Sequence, residues 1–311
     1  MPSNRTVLEK ADLQISDLVT DGGYLQPAQA QMFIRHLIDE ATLLKDVRVV
    51  PMRAPKQLIE GIRFGSRVMR PGVSGQALAA SDRVKPNLNK VELDAVLVKA
   101  QIDLDDEVLE DNIEQGTLKD TVMEIATEQI AVDKEELEVQ GDTASTDAFL
   151  ALYDGMLKST TSNVTDAGVT PISDTHLRNC LKVIPSAALR NRTRMKFYTS
   201  VDAEIDYRHL LSQRGDALGA INHDSWKPVG YSGIGVQPVP MFPENLGGGT
   251  NETRAILCDP KSWAHGIWRR IKIESQKDIK AGVLSIVFTM RIHGKWVYEP
   301  HTAKIDKIKV A

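Results

Sequence analysis

The sequence predicts an α+β fold, and three observations carry that expectation. Residues 57–70 and 88–98 alternate apolar and polar side chains as the two strands of one hairpin do. A run from about Thr117 to Val139 places Leu118, Val122, Ile125, Ala126 and Ile130 on one helical stripe. Toward the end, Leu284, Ile286, Phe288, Met290 and Ile292 alternate with Ser285, Val287, Thr289, Arg291 and His293. The 311 residues suffice for two modest domains, and 42% hydrophobic with 26% charged residues exclude wholesale disorder. No stretch approaches the ~20 apolar residues of a membrane span. The opening Met-Pro-Ser-Asn-Arg-Thr leads into a polar segment without an apolar signal core, so an intracellular chain is expected. Cys180 and Cys258 make neither a disulfide framework nor a metal knuckle and read as small buried hydrophobes.

The elements follow in order. Residues 1 to about 26 read as a polar arm closing on Asp21-Gly22-Gly23, and Pro27 suits the first turn of a helix running to about Lys45. Val47 to Met52 is β-rich. In the hairpin, Ile62, Phe64 and Val68 alternate with Arg63, Gly65 and Arg67, and Val91, Leu93, Ala95 and Leu97 with Glu92, Asp94 and Val96. Each arm would reach about 35–45 Å at ~3.3 Å per residue, against a radius of gyration near ~20 Å for a compact chain of this length. An isolated two-stranded hairpin is marginal in water, so this one is expected to rest on another subunit. Asp103, Asp105 and Asp106 before Val108 and Leu109 read as a helix start. Residues 148–254 alternate helix and strand: helix from His176 to about Ile184, strand Met195 to Thr199, helix Val201 to Arg214. Trp263 to Trp268 reads as a helix, and His293-Gly294-Lys295 as a turn sending Trp296 and Tyr298 back.

Charge is segregated along the chain. Fifteen acids between Asp103 and Asp142 face only Lys119 and Lys134, whereas Lys56, Arg63, Arg67, Arg70, Arg83, Lys85 and Lys90 face only Glu60 and Asp82. Two solvated faces explain this; so does self-association, with one copy's basic segment on another copy's acidic one. The net charge of -4 argues against nucleic acid as the main partner, although eleven Lys and Arg oppose four acids from Lys261 onward. Any DNA contact there would run through phosphates without sequence preference.

The search for chemistry is negative. The seven histidines include no His-Glu-x-x-His and no Cys/His metal spacing. Gly230-Tyr231-Ser232-Gly233-Ile234-Gly235 leads into Val-Gln-Pro-Val-Pro, not the helix a phosphate cradle needs. Asp103-Leu104-Asp105-Asp106-Glu107 lacks the glycine of a calcium loop. Trp263, Trp268, Arg269 and Arg270 read as core and rim packing in preference to a nucleic-acid stacking surface. No catalytic, cofactor or metal residue is assigned, and no cofactor is expected.

The order of parts resembles a family. Gly22-Gly23-Tyr24-Leu25 with Pro27, a helix ending near Lys45-Asp46, and Val47-Arg48-Val49-Val50-Pro51-Met52 resemble the opening of the major capsid proteins of tailed bacteriophages. The hairpin, the segment Leu104 to Asp111, the long helix and its closing Gly141-Asp142 follow in that family's order, with Thr143 where members usually have Gly. The resemblance implies an arm and first helix (1–45), an extended loop (46–98), a peripheral domain with a spine helix (99–147 and 255–311) and an axial domain (148–254). It implies a non-enzymatic protein of the virion capsid, assembled in the host cytoplasm from pentamers and hexamers into an icosahedral shell. The partners it implies are further copies of the chain, a separate scaffolding protein, a portal and packaged double-stranded DNA, with no membrane. The extended loop of one copy would lie on the peripheral domain of its neighbour, which makes Arg63, Arg67, Arg70, Arg83 and Lys85 candidate contacts for Glu124, Glu128 and Glu135. Lys85 and Lys90 lie where some relatives form a lysine–asparagine crosslink, but no motif supplies the partner, and that activity is not carried over. An encapsulin-like compartment is the alternative within the fold; an α/β enzyme or ligand-binding protein is the alternative outside it.

Overall fold

A computed structural model describes residues 12–13, 42–64, 67–72, 74–105, 118–213, 229–247 and 251–310. In chain order the strands are β1 (Asp12–Leu13), β2 (Arg48–Pro51), β3 (Lys56–Arg63), β4 (Asn87–Asp94), β5 (Val96–Asp105), β6 (Val164–Thr170), β7 (Lys196–Thr199), β8 (Gly230–Tyr231), β9 (Ile234–Pro238), β10 (Glu252–Cys258), β11 (Trp263–Asp278), β12 (Val283–Trp296) and β13 (Ala303–Lys309). The helices are α1 (Leu118–Gln140), α2 (Met156–Ser159), α3 (Asp174–Val183) and α4 (Val201–Ser212). Of the expected arm the structure describes Asp12–Leu13, which form β1. The helix expected from Pro27 to about Lys45 is described only from residue 42, where the chain makes bends and a turn instead of helix. The start of a helix at Val108 lies outside the described residues.

One sheet has the order β1-β5-β12-β11-β2. Strands β5, β12 and β11 run antiparallel, and β1 and β2 join them in parallel. The register sets Ala100, Ile102 and Leu104 beside Phe288, Ile286 and Leu284, which puts these six side chains on one face. Helix α1 lies on that face: Ala126 is buried among Leu104, Ile286 and Phe288, with Val122, Met123 and Ile130 at the margin. Each such side chain stabilises the fold by roughly 1.5–3 kcal/mol when fully buried. The 23 residues of α1 span about 35 Å, and nearer its end Leu137 packs on Tyr153, Met290 and Ile292.

The second sheet has the order β6-β13-β10-β7-β9-β8. Its strands take alternate faces to different cores. Phe197, Val236, Ala255, Leu257 and Ile305 meet Leu177, Cys180 and Leu181 of α3 and Ala203, Tyr207 and Leu211 of α4. Tyr198, Ile256, Cys258 and Val239 turn the other way and pack with Val139, Met156, Trp263 and Trp296, so this shared core joins the two sheets. Because β10 and β13 belong to this sheet, residues 255–311 are divided between the two sheets. Both cysteines are buried, as expected, and burial pushes the Cys180 thiol up to about 12.

Four further expectations are corrected. The paired part of the hairpin ends at Arg63 and Asn87, and its return strand ends at Asp94, not at 98. At Ala95, whose N–H bonds the Pro55 carbonyl at 2.8 Å, the alternation slips by one residue. Val91 and Leu93 are inward before it, and Val96 and Val98 pack inward after it, because β5 belongs to a different sheet. Asp103 and Asp105 lie within β5 and do not start a helix. Trp263 to Trp268 opens strand β11 instead of forming a helix, since Trp263 pairs Trp296 and the two indoles meet edge to face at 4.8 Å. His293-Gly294-Lys295 does not turn the chain; β12 runs straight through it to Trp296.

Gly141 shows why a glycine closes α1. Its N–H completes the helix on the Leu137 carbonyl at 2.9 Å, while the returning chain bonds it from Gly155 at 2.8 Å. A side chain at 141 would meet the Leu137 carbonyl at 2.7 Å and crowd that of Tyr153. Asp142 then caps the exit, accepting from the Ala144 N–H and from Lys158 at 2.9 Å each.

Candidate functional site

The hairpin of β3 and β4 has two unlike faces. Residues opposite each other share a face, so Gln57, Ile59, Val91 and Leu93 form one side and Leu58, Ile62 and Leu88 the other. The first side is rooted in the chain. Leu93 is fully buried and closes with Met52 over Gly266, where a Cβ would meet both at 2.8–2.9 Å. Asn89 donates to the Val297 carbonyl at 2.9 Å. The second side is bare: Leu58 is 54%, Ile62 67% and Leu88 62% exposed, and Phe64 beyond them 57%. These apolar side chains share that face with Glu92 and the Glu60–Lys90 pair, which lies between Leu58 and Ile62.

The basic residues sit beyond the stripe. Arg63 ends β3; Arg67, Arg70, Arg83 and Lys85 lie in the exposed tip, where Arg83 bonds the Leu78 carbonyl at 3.2 Å. Arg67, Arg70 and Lys85 make no ion pair among the described residues, while the stem neutralises itself through Lys56–Asp94 at 2.7 Å and Lys90–Glu60 at 3.4 Å.

The three acids assigned to the opposing surface separate. Glu124 is exposed and Glu128 half-buried, and both stand about 160° around α1 from the buried Ala126. Glu135 is 2% exposed and turned inward, taking the N–H groups of Thr42, at 3.0 Å, and of Leu43. It holds the segment entering β2 and is withdrawn from any outer surface of α1.

One turn further on, Glu138 is a site that charge counting missed. It is fully buried, and one oxygen accepts from the Tyr153 hydroxyl at 2.9 Å and from Nδ1 of His265, the other from the Trp263 indole at 2.5 Å. Burial alone would raise its pKa, but the attraction and hydrogen bond of His265, with the Trp263 and Tyr153 donors, hold it below the usual carboxylate range. Burial and this same charge push the Tyr153 hydroxyl well up. Sealed from solvent, the cluster serves structure: it ties α1 to β11 and to the chain returning toward α2. The legible signal was the placement of Glu138 between Leu137 and Val139 at the end of an apolar stripe. Gly294 makes room for it, since a Cβ there would lie 2.8 Å from the Glu138 carboxyl carbon and 2.5 Å from the Trp263 ring. Gly294→Ala is therefore expected to cost about 1–3 kcal/mol, read as a lowered denaturation midpoint with unchanged slope.

Among the described residues, no group of three His, Cys, Asp or Glu side chains could hold a metal ion, and no helix is long and apolar enough to cross a membrane. No family model matches the chain. A Bacillus subtilis (strain 168) protein described as a prophage capsid protein, YqbE, is 34% identical over 313 residues, covering 98% of this chain and 99% of that one. The chain belongs to this prophage capsid protein family. Solved structures carry the same capsid fold at low identity. The capsid of a native GTA particle superposes with a TM-score of 0.66 at 12% identity over 94% of this chain and 99% of that chain. The structure titled Gordonia phage Cozz gives 0.64 at 10% over 94% and 95%, and the SrpI encapsulin of Synechococcus elongatus PCC 7942 gives 0.62 at 11% over 96% and 98%.

Proposed function

We propose that this capsid protein assembles as pentamers and hexamers into an icosahedral shell around the double-stranded DNA of a tailed phage or prophage. The observation that carries the reading is the two-faced hairpin, rooted by Leu93 and Asn89 and bare along Leu58, Ile62 and Leu88. In this reading the hairpin is the extended loop, the first sheet with α1 as spine helix is the peripheral domain, and the second sheet with α3 and α4 is the axial domain. The bare stripe of one copy lies on the peripheral domain of the next, and Arg63, Arg67, Arg70, Arg83 and Lys85 reach toward Glu124 and Glu128 of that neighbour. Contacts between subunits then stabilise each one by mass action. Virion location, assembly in the host cytoplasm, a scaffolding protein and a portal belong to the same proposal.

Particle size of the purified chain, by negative-stain microscopy with light scattering, tests the reading. Closed shells or rings of five and six are expected, and a chain that stays monomeric when concentrated with its scaffolding partner overturns it. Replacing Arg63, Arg67 and Arg70 together by Glu is expected to abolish particles while the far-ultraviolet circular dichroism is unchanged; normal shells from that variant would sink the electrostatic part. The kinship with an encapsulin fold gives a second outcome. Packaged protein in place of nucleic acid inside the particles would favour a cargo compartment, whereas the prophage relative favours DNA.

A further inference from the structure

The second sheet carries its two helices side by side, and their outer faces are chemically opposite. Helix α3 packs on β6 and β13 toward one edge of the sheet, and α4 packs on β9 toward the other. On α4, Ala203, Tyr207 and Leu211 face the core, so Val201, Asp202 and Ile205 point away from it. Ile205 is 55% exposed, and Val201 lies in the open beside it. Asp202 suits the first turn of a helix, but Asp206 sits a turn later, where the helix dipole offers it nothing. Burial and the charge of Asp202 hold the Asp206 carboxyl above its usual range, and His209 opposes this only in part. Neither acid has an ion-pair partner among the described residues.

The α3 flank is basic. Arg178, Lys182 and Val183 are exposed, and the following turn carries Arg190, Arg192 and Arg194. Arg194 is taken by Asp259 at 2.8 Å, and Arg192 donates to Ser232 at 3.2 Å. Arg178, Lys182 and Arg190 have no carboxylate partner among the described residues.

We infer that the α4 flank of one copy docks on the α3 flank of the next, with Val201 and Ile205 against Val183, and Asp202 and Asp206 against Lys182 and Arg190. The occupant is a second copy because one chain bears both halves of the match at opposite edges of one sheet. Such a head-to-tail contact repeats and closes into a ring when the rotation allows. The α4 acids, which have no ion-pair partner among the described residues, then gain cations, and Val201 and Ile205 leave water together with Val183. The inference rests on the shell reading and names a contact separate from the hairpin.

A charge swap tests it in the full-length chain. Asp202→Lys with Asp206→Lys, and separately Lys182→Glu with Arg190→Glu, are each expected to lower the assembled fraction at least tenfold. Carrying all four substitutions in one chain restores the opposite-sign match and is expected to recover assembly. Thermal denaturation should show all three variants folded, since the exchanged side chains sit on the outer faces. Wild-type-like assembly by both double variants, or a folded quadruple variant that does not recover, overturns the contact and leaves the shell reading standing. A wild-type chain that forms no particle fails earlier and takes the shell reading down first.

Discussion

Glu138→Ala is expected to destabilise the chain by about 3–5 kcal/mol, the largest effect of any single side chain described here. The loss follows from what remains. The indole N–H of Trp263, Nδ1 of His265 and the Tyr153 hydroxyl would face a cavity with their acceptor gone. Each orphaned buried group costs about 1–3 kcal/mol. Helix α1 would also lose its tie to β11 at the end where it meets the second sheet. Urea denaturation of the two proteins at pH 7 measures the difference, and a loss below about 1 kcal/mol would show that the cluster is not holding the helix. Its pH dependence has a definite sign. A carboxyl held below its ordinary value contributes stability that is complete above the unfolded value of about 4.3 and fades as pH falls through the folded value. Glu138→Gln should therefore trail the wild type at pH 7. The gap should narrow below the ordinary carboxylate range.

The long elements were legible because each obeys one period. Helix α1 repeats its apolar stripe over 23 residues, and β12 alternates through 14, patterns that tertiary context has no need to override. The failures cluster where one segment serves two packing environments. Val91, Leu93, Val96 and Val98 read as one strand until the hairpin and the main sheet claim different faces of it, a slip at Ala95 that no local pattern announces. Trp263 to Trp268 reads as a helix when taken alone; pairing with β12 and β2 decides otherwise. Gly294 looked like a turn because a glycine in mid-strand has no local explanation. Its reason is the Glu138 carboxylate, 156 positions away in the chain. The acid run was visible as a sum, but its members differ: Glu124 faces solvent, while Glu135 and Glu138 are fasteners inside the fold. Composition counts charges and does not see which of them are consumed by buried N–H donors.

Ile62→Asp combined with Leu88→Asp is expected to abolish assembly while changing the stability of the isolated chain by less than about 0.5 kcal/mol. The two residues face each other across the hairpin and are 67% and 62% exposed, so little of the chain's own stability rests on them. Between subunits the same pair would sit where burying one such side chain contributes about 1.5–3 kcal/mol, and every copy in a ring loses it at once. Two uncompensated carboxylates in a dry contact add a desolvation cost of several kcal/mol each. Sedimentation should find the variant entirely in the slow fraction under conditions that give wild-type particles, with an unchanged melting temperature. Particles of normal size would mean that the bare stripe faces solvent in the shell as well. A large drop in melting temperature would instead mean that the stripe packs on its own chain, against the exposure of Leu58, Ile62 and Leu88. The assembly surface has to combine an intact fold with a lost shell. A basic tip screened by salt, with the apolar side chains of Leu58, Ile62 and Leu88 indifferent to it, then predicts that salt weakens assembly without preventing it.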